Sequence, residues 1–525
     1  MSAHRIIELH FSGEPVSGNP YVDVTLDVVF ESPTGKSYKA PGFWDGGTDW
    51  KVRFAADEDG AWSWRARSNQ ADFDGQSGRV EVEADVDAKA GIAWTGHGPL
   101  AIHTSKRGFA HSDGTPVFWL ADTAWSGSAH ATLEEWHEYL QKRASQGFNV
   151  LQINSLPQWD ASGPPLREPF DGGPDGVDLS RPRPDYFQYL DAIVRDAADA
   201  GLIVAMVVLW FDNTQGDNDD WAISVARRGP FSKSEAESFA RFLMARYEAF
   251  GTTWIVCGDS GFKAPPALEL YDAAARGLRA SAVRPPLMTA HLNGTTPTSP
   301  DLNARGWLDY HMFQSCHFAD SDERAVRYAG IARAFEPTRP VLNGEPCYEN
   351  LRVMGQPASG DRKFVREDLR RVLWISLLSG AAAGFTYGAH GTWPWHRTGQ
   401  EYGPIHYGLP LDWRDALALE SGDDAARLKR FFERLEWWQL EPVESPAAEP
   451  AGNVEASASV GPGTVLVYVS GPTAITLDAS DATPAARWFD PAKESWTDAE
   501  VSTVTNGWRI AARKQPGDAV LEIRR

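Results

Sequence analysis

Three cysteines, Cys257, Cys316 and Cys347, are all that 525 residues contain, and no CxxC pair is among them. A disulfide framework and a structural zinc site are therefore not expected. No HExxH motif occurs, and no apolar run is long enough to span a bilayer. Met1-Ser2-Ala3-His4-Arg5 leads straight into the strand-like Ile6-Ile7-Glu8-Leu9-His10-Phe11 without an apolar leader stretch, so a cytoplasmic location is the expectation. Positive charge is also scarce, with 50 Lys and Arg against 71 Asp and Glu and a net charge of −21. Nucleic acid and anionic membrane surfaces need clustered basic residues, so both are excluded as partners. A neutral or cationic ligand suits this charge better. Internal repeats and low-complexity tracts are absent, and no oligomeric state is legible.

Tryptophan, by contrast, is abundant, at 22 residues. Its flat apolar face and single N–H donor serve both β-sheet cores and stacking on sugar rings. The first ~95 residues read as all-β. Tyr21–Phe30 alternates as a half-buried strand, and Lys51–Phe54 and Gly60–Arg67 follow across Asp/Gly turns. A β-sandwich over 1–95 is expected. From about residue 100 the pattern becomes strand, helix, strand, helix. Strands are predicted at Val117–Ala121, Asn149–Ile153, Leu202–Leu209, Thr253–Val256, Leu287–Ala290, Tyr310–Phe313, Pro340–Leu342 and Ala383–Tyr387. Helices such as Leu133–Gln146, Tyr186–Ala200 and Lys233–Tyr247 separate them, and Asp424–Leu440 is predicted as the last. Eight strands in this arrangement predict a (β/α)₈ barrel over 96–443. An open doubly wound sheet would carry a Gly-rich phosphate turn after its first strand, where this chain has Ala121-Asp122-Thr123-Ala124-Trp125. Glu444–Gly452 reads as a linker, and 444–525 as a second all-β domain.

Barrel enzymes keep their chemistry at the C-terminal ends of the strands. Here those ends carry Asp122 and Trp125, Asn154, Trp210, Asp259, His291, Gln314 and His317, Glu345, and finally Tyr387, His390, Trp393 and Trp395. Carboxylates, amides, His and Trp are what a sugar site uses for hydroxyls, ring faces and acid–base work. Glycoside hydrolysis needs one carboxyl to protonate the leaving oxygen and a second, ionised, to attack or to activate water. Two segments share one design. Thr253-Trp254-Ile255-Val256-Cys257-Gly258-Asp259 and Arg339-Pro340-Val341-Leu342-Asn343-Gly344-Glu345 are each an apolar strand, a glycine and an acid. Gly258 is expected to permit a sharp turn. The pair, Asp259 and Glu345, comes from strands four and seven, across the barrel mouth from each other. The acidic run Gly216-Asp217-Asn218-Asp219-Asp220 lacks the spacing and closing Glu of a calcium loop. His291 and His311 on neighbouring strands suggest a metal only weakly, because the first strand offers Phe118-Trp119-Leu120 and no HxH. No cofactor and no metal are expected.

Phe118-Trp119-Leu120-Ala121-Asp122-Thr123-Ala124-Trp125, Gly258-Asp259, Asn343-Gly344-Glu345-Pro346-Cys347-Tyr348-Glu349 and Tyr387-Gly388-Ala389-His390 resemble the apiosidase-like glycoside hydrolase barrels. Phe43-Trp44-Asp45-Gly46-Gly47 and Trp50-Lys51-Val52-Arg53-Phe54 resemble the β-sandwich often found before that barrel, and the tail is similar to the small β-domain often found after it. The resemblance implies a retaining hydrolase acting on an oligosaccharide or other glycoside, with Asp259 as acid/base and Glu345 as nucleophile. Asp259 departs from the Asn-Glu pair of broader retaining barrel families, so stereochemistry turns on carboxyl separation: about 5 Å for retention, roughly 6.5 Å or more for inversion. A carbohydrate-binding protein with an inactive barrel and a metal-dependent hydrolase are the alternatives the residues leave open.

Overall fold

The computed structural model describes residues 6–83, 97–173, 176–214, 231–355, 361–478 and 483–524. The expected 95/96 boundary and the acidic run at 216–220 lie outside them. Eight parallel strands form one ring: β1 (Trp119–Thr123), β2 (Val150–Asn154), β3 (Ile203–Trp210), β4 (Thr253–Gly258), β5 (Met288–Thr289), β6 (His311–Gln314), β7 (Val341–Glu345) and β8 (Gly384–Tyr387). Hydrogen bonding runs β5-β4-β3-β2-β1-β8-β7-β6, and a parallel bridge between His291 and Met312 joins the two ends. The chain is a (β/α)₈ barrel flanked by two antiparallel β-domains.

Side chains alternate across each strand, so the ring has two apolar faces. Trp119, Ala121, Val150, Ile203, Ala205, Val207, Ile255, Met312 and Leu342 form the inner cluster. Leu120, Leu151, Ile153, Val204, Met206 and Trp254 belong to the outer one, packed under the helices. Among those helices α1 (Leu133–Gln146) and α2 (Lys233–Tyr247) begin with reciprocal capping boxes, Thr132 with Glu135 and Ser232 with Glu235. The first of these ends at Gly147 in the left-handed conformation, φ 89°.

Three expectations need correction. Tyr21–Asp23 is not strand: Asn19 accepts the Tyr21 N–H and Pro20 starts a helical turn, leaving strand only from Leu26 to Glu31. The last barrel helix stops at Glu433, and Leu440–Pro442 already pairs with Val454–Val460. The stretch read as a linker contains Ala447–Glu449, the edge strand of a four-stranded sheet, where flanking prolines cost no ladder hydrogen bond.

The N-terminal sandwich turns on one strand. Ser37–Pro41 pairs with Leu26–Glu31, while Gly42–Gly46 pairs with Asp49–Ala55, so a single strand passes between the two layers. Val28, Phe30, Val52, Phe54 and Trp62 fill the space between. Both β-domains are tied to the barrel by buried ion pairs. Arg53 from the sandwich and Arg246 from the barrel converge on Asp191, each at 2.6 Å. Arg370 bridges Asp424 of the barrel and Asp518 of the C-terminal domain, at 2.8 and 2.7 Å. Among the described residues no helix is long and apolar enough to cross a membrane.

Candidate active site

The two strand-Gly-acid segments do deliver their carboxylates to one place. Asp259 and Glu345 line the same cavity, of about 270 Å³, at the C-terminal end of the ring. The glycines act differently from expectation. Neither Gly258 nor Gly344 has a positive φ. A Cβ on Gly258 would sit 2.0 Å from the Trp210 ring, and one on Gly344 would sit 2.3 Å from Met312. Absence of a side chain, rather than backbone freedom, is what these positions need. The left-handed turn falls on Asp259 itself, φ 50°, and on Cys316 across the cavity, φ 63°. Non-glycine residues held in that region concentrate at functional sites. Gly258→Ala is expected to displace Trp210 and cost about 1–3 kcal/mol of stability, read as a lower melting temperature together with reduced turnover; an unchanged melt would mean the ring moves freely.

Glu345 is held by two histidines. His317 Nε2 lies 3.0 Å from Oε1 and His291 Nε2 lies 3.3 Å from Oε2. The Asp259 backbone N–H donates to His291 Nδ1 at 3.2 Å. That contact assigns the proton of a neutral imidazole to Nε2, facing Glu345. The turn that presents one acid thereby orients the histidine that supports the other. Burial alone pushes the Glu345 carboxyl up, but the hydrogen bonds from His291 and His317 outweigh it and hold the group well below the usual carboxylate range. Glu345 is ionised. Its backbone is fixed too: Asn343 Oδ1 accepts from the Glu345 N–H at 3.3 Å, while its amide donates to Ser315 and Ser376. The Tyr348 hydroxyl, which also lines the cavity, receives Trp125 Nε1 at 3.2 Å.

Trp125, Trp210, Gln314, His317 and Trp393 join the two acids in the cavity wall, as their strand-end positions predict. His291 stands behind them, its ring stacked on Trp210 at 6.0 Å. Asp122 and Tyr387 do not face the cavity. Both sit at outward positions of the pleat, one residue out of step with the inward Ala121 and Thr386. Asp122 is fully buried against Arg143 Nε at 2.5 Å and receives the Tyr139 hydroxyl at 2.6 Å. Tyr387 pairs with the Ser421 hydroxyl at 2.9 Å. Asn154, His390 and Trp395 are buried but outside the lining. His390 lies behind Trp393, its ring stacked at 5.9 Å, and burial depresses it to about 3, so it is neutral. Trp395 stacks on Trp413 and donates to Glu135. Sequence reasoning missed Asp160 and Tyr348, and also Tyr407 from the 3₁₀ turn Ile405–Tyr407, all of which line the cavity. His311 packs against Phe335 on the outer face, away from His291. Among the described residues no group of three or more His, Cys, Asp or Glu has the arrangement of a metal site.

A family model described as the apiosidase-like catalytic domain matches residues 103–439, and one for a domain of unknown function matches 1–69. No curated protein sequence matches. Among solved structures, a glycoside hydrolase shares 22% identity at a TM-score of 0.66, covering 82% of this chain and 98% of its own. A glycoside hydrolase family 5 protein from Bacteroides vulgatus gives 22% and 0.66, with coverage of 82% and 94%. Another Bacteroides vulgatus chain, provisionally assigned as a glycoside hydrolase, gives 18% and 0.70 over 99% of this chain and 98% of its own. These likenesses carry the fold.

Proposed function

Because the chain belongs to the apiosidase-like family, we propose that it is an O-glycosyl hydrolase releasing a terminal or short-oligosaccharide sugar with retention, Glu345 being the nucleophile and Asp259 the acid/base. The observation that carries this reading is the ionised Glu345 carboxylate, aligned by two histidines in a small cavity that Asp259 shares. Glu345 attacks the anomeric carbon as Asp259 gives its proton to the departing glycosidic oxygen. Water then enters, Asp259 takes its proton, and the Glu345–sugar ester bond breaks. The His317 and His291 N–H groups stabilise the carboxylate before attack and again as it leaves. A cavity of about 270 Å³ lies at the lower edge of the ~300–1,000 Å³ usual for ligand sites. That supports one or two sugar rings rather than a long chain, with Trp125, Trp210 and Trp393 as stacking faces.

The test is a panel of aryl furanosides and pyranosides, with the anomeric configuration of the first-formed product followed by proton NMR. Retention is expected; binding without turnover across the panel would instead favour a carbohydrate-binding protein. For Asp259→Asn, the loss should depend on the leaving group, about 10²-fold on an alkyl or sugar aglycone and much less on a nitrophenolate. Equal losses on both would take Asp259 out of the proton-donor role.

A further inference from the structure

A third carboxyl shares the cavity. Asp160 follows β2 in an irregular loop and is 93% buried, being 7% exposed. Its Oδ1 is buried without a hydrogen-bond partner among the described residues. Among the described residues the ionisable groups that act most on it are acidic: Asp212 beyond β3, Asp259 beyond β4 and Glu345 at the end of β7. From the segment after β8, Tyr402 and Tyr407 approach it as uncharged phenols. His317 and His406 share the cavity, and no Lys or Arg forms an ion pair with Asp160 among the described residues. Such surroundings disfavour the charged form of a carboxylate. Desolvation has no compensating cation, and each neighbouring negative charge adds to the penalty. Burial first, then Asp259, Asp212 and Glu345, push its carboxyl well above the usual range, outweighing a hydrogen bond from its own backbone N–H.

We infer that Asp160 is a substrate-contacting residue, a neutral carboxylic acid whose O–H donates a hydrogen bond to a hydroxyl of the bound sugar. The inference rests on the glycosidase reading for its ligand, but not for the state of the acid. A carboxylic acid that lines a cavity and leaves Oδ1 unpaired has bonding capacity a polyol can use. An ionised carboxylate only accepts, whereas the neutral acid can also donate its O–H to a hydroxyl oxygen. Burial and the ionised Glu345 thus keep Asp160 a donor, and Asp160 in turn sets which hydroxyl orientation fits.

Two measurements test this on the full chain. Infrared difference spectra at neutral pH, wild type minus Asp160→Asn, should contain the C=O stretch of a protonated carboxylic acid. Its absence overturns the inference whatever the activity. With the aryl glycoside that the wild type turns over, Asp160→Ala should raise KM about tenfold at little cost in kcat. Asp160→Asn retains an N–H donor and should restore KM. The wild-type KM should climb at alkaline pH as Asp160 ionises, and the Asn variant should lose that climb. If Asp160→Asn instead abolishes kcat at unchanged KM, the residue transfers a proton and the inference fails. If the wild type hydrolyses nothing, the glycosidase reading falls while the infrared band still decides the state of Asp160.

Discussion

Glu345→Gln should lower kcat/KM by about 10⁴-fold or more while the protein melts close to wild type. Glutamine occupies the same volume and still accepts from one histidine, so the loss isolates the missing negative charge. The charge matters because His291 and His317 hold the carboxylate ionised despite full burial. A group whose folded value is depressed is in its reactive form at every pH above that value. Any acid limb of kcat/KM set by Glu345 therefore lies below the ordinary Glu value of about 4.3, and an acid limb nearer neutrality belongs to another group. Glu345→Gly adds a positive test. The small variant opens room beside the anomeric carbon, and azide supplied in solution should restore turnover, giving a glycosyl azide of inverted configuration. Rescue by azide with retained configuration would move the nucleophile's role elsewhere, for instance to Asp259. Full turnover by Glu345→Gln would remove the residue from the reaction.

The barrel was legible because its signals are local. The apolar run Leu202–Leu209 reads as a strand buried on both faces, and helical segments such as Leu133–Gln146 and Lys233–Tyr247 alternate with the strands. Strand ends place side chains near the mouth, which was enough to pick out Asp259, Glu345, Trp125, Trp210, Gln314 and His317. It was not enough for Asp122 or Tyr387, since facing in or out depends on pleat parity, and position at a strand end does not by itself give that parity. Strand position also suggested the wrong reason for Gly258, whose requirement comes from the Trp210 ring folded onto it by tertiary packing. Asp160 has no local signature at all. It lies in a loop without periodicity, and its meaning comes from three carboxylates that reach it from strands distant in sequence. The bridge from the Asp259 backbone through His291 to Glu345 is equally non-local.

Removing Asp191 should be the most destabilising single change outside the site. Asp191 lies on the barrel helix Pro184–Asp199, 7% exposed, between Arg246 and the sandwich residue Arg53. Arg53 also reaches Glu8 at 2.6 Å, and Arg246 reaches Asp45 at 2.6 Å, so one carboxylate joins two further acid–guanidinium pairs across the seam between domains. Asp191→Ala leaves two buried guanidiniums facing each other with one carboxylate apiece, Glu8 and Asp45, and the expected loss is about 3 kcal/mol, measured as a fall in the urea midpoint. The paired variant Arg53→Met with Asp191→Leu should recover part of it, because the burial penalty of both charges goes with them. The pH dependence has a definite sign. Burial pushes the Asp191 carboxyl up, Arg246 and Arg53 more than reverse this, and the folded group titrates below its unfolded value. Its contribution is thus complete above the unfolded Asp value of about 3.9 and is lost as the pH falls through the lower, folded value. Wild type should lose stability steeply on acidification over that range, and Asp191→Ala should show a shallower fall. If the two acid profiles ran parallel, Asp191 would not be the carboxylate that ties the sandwich to the barrel.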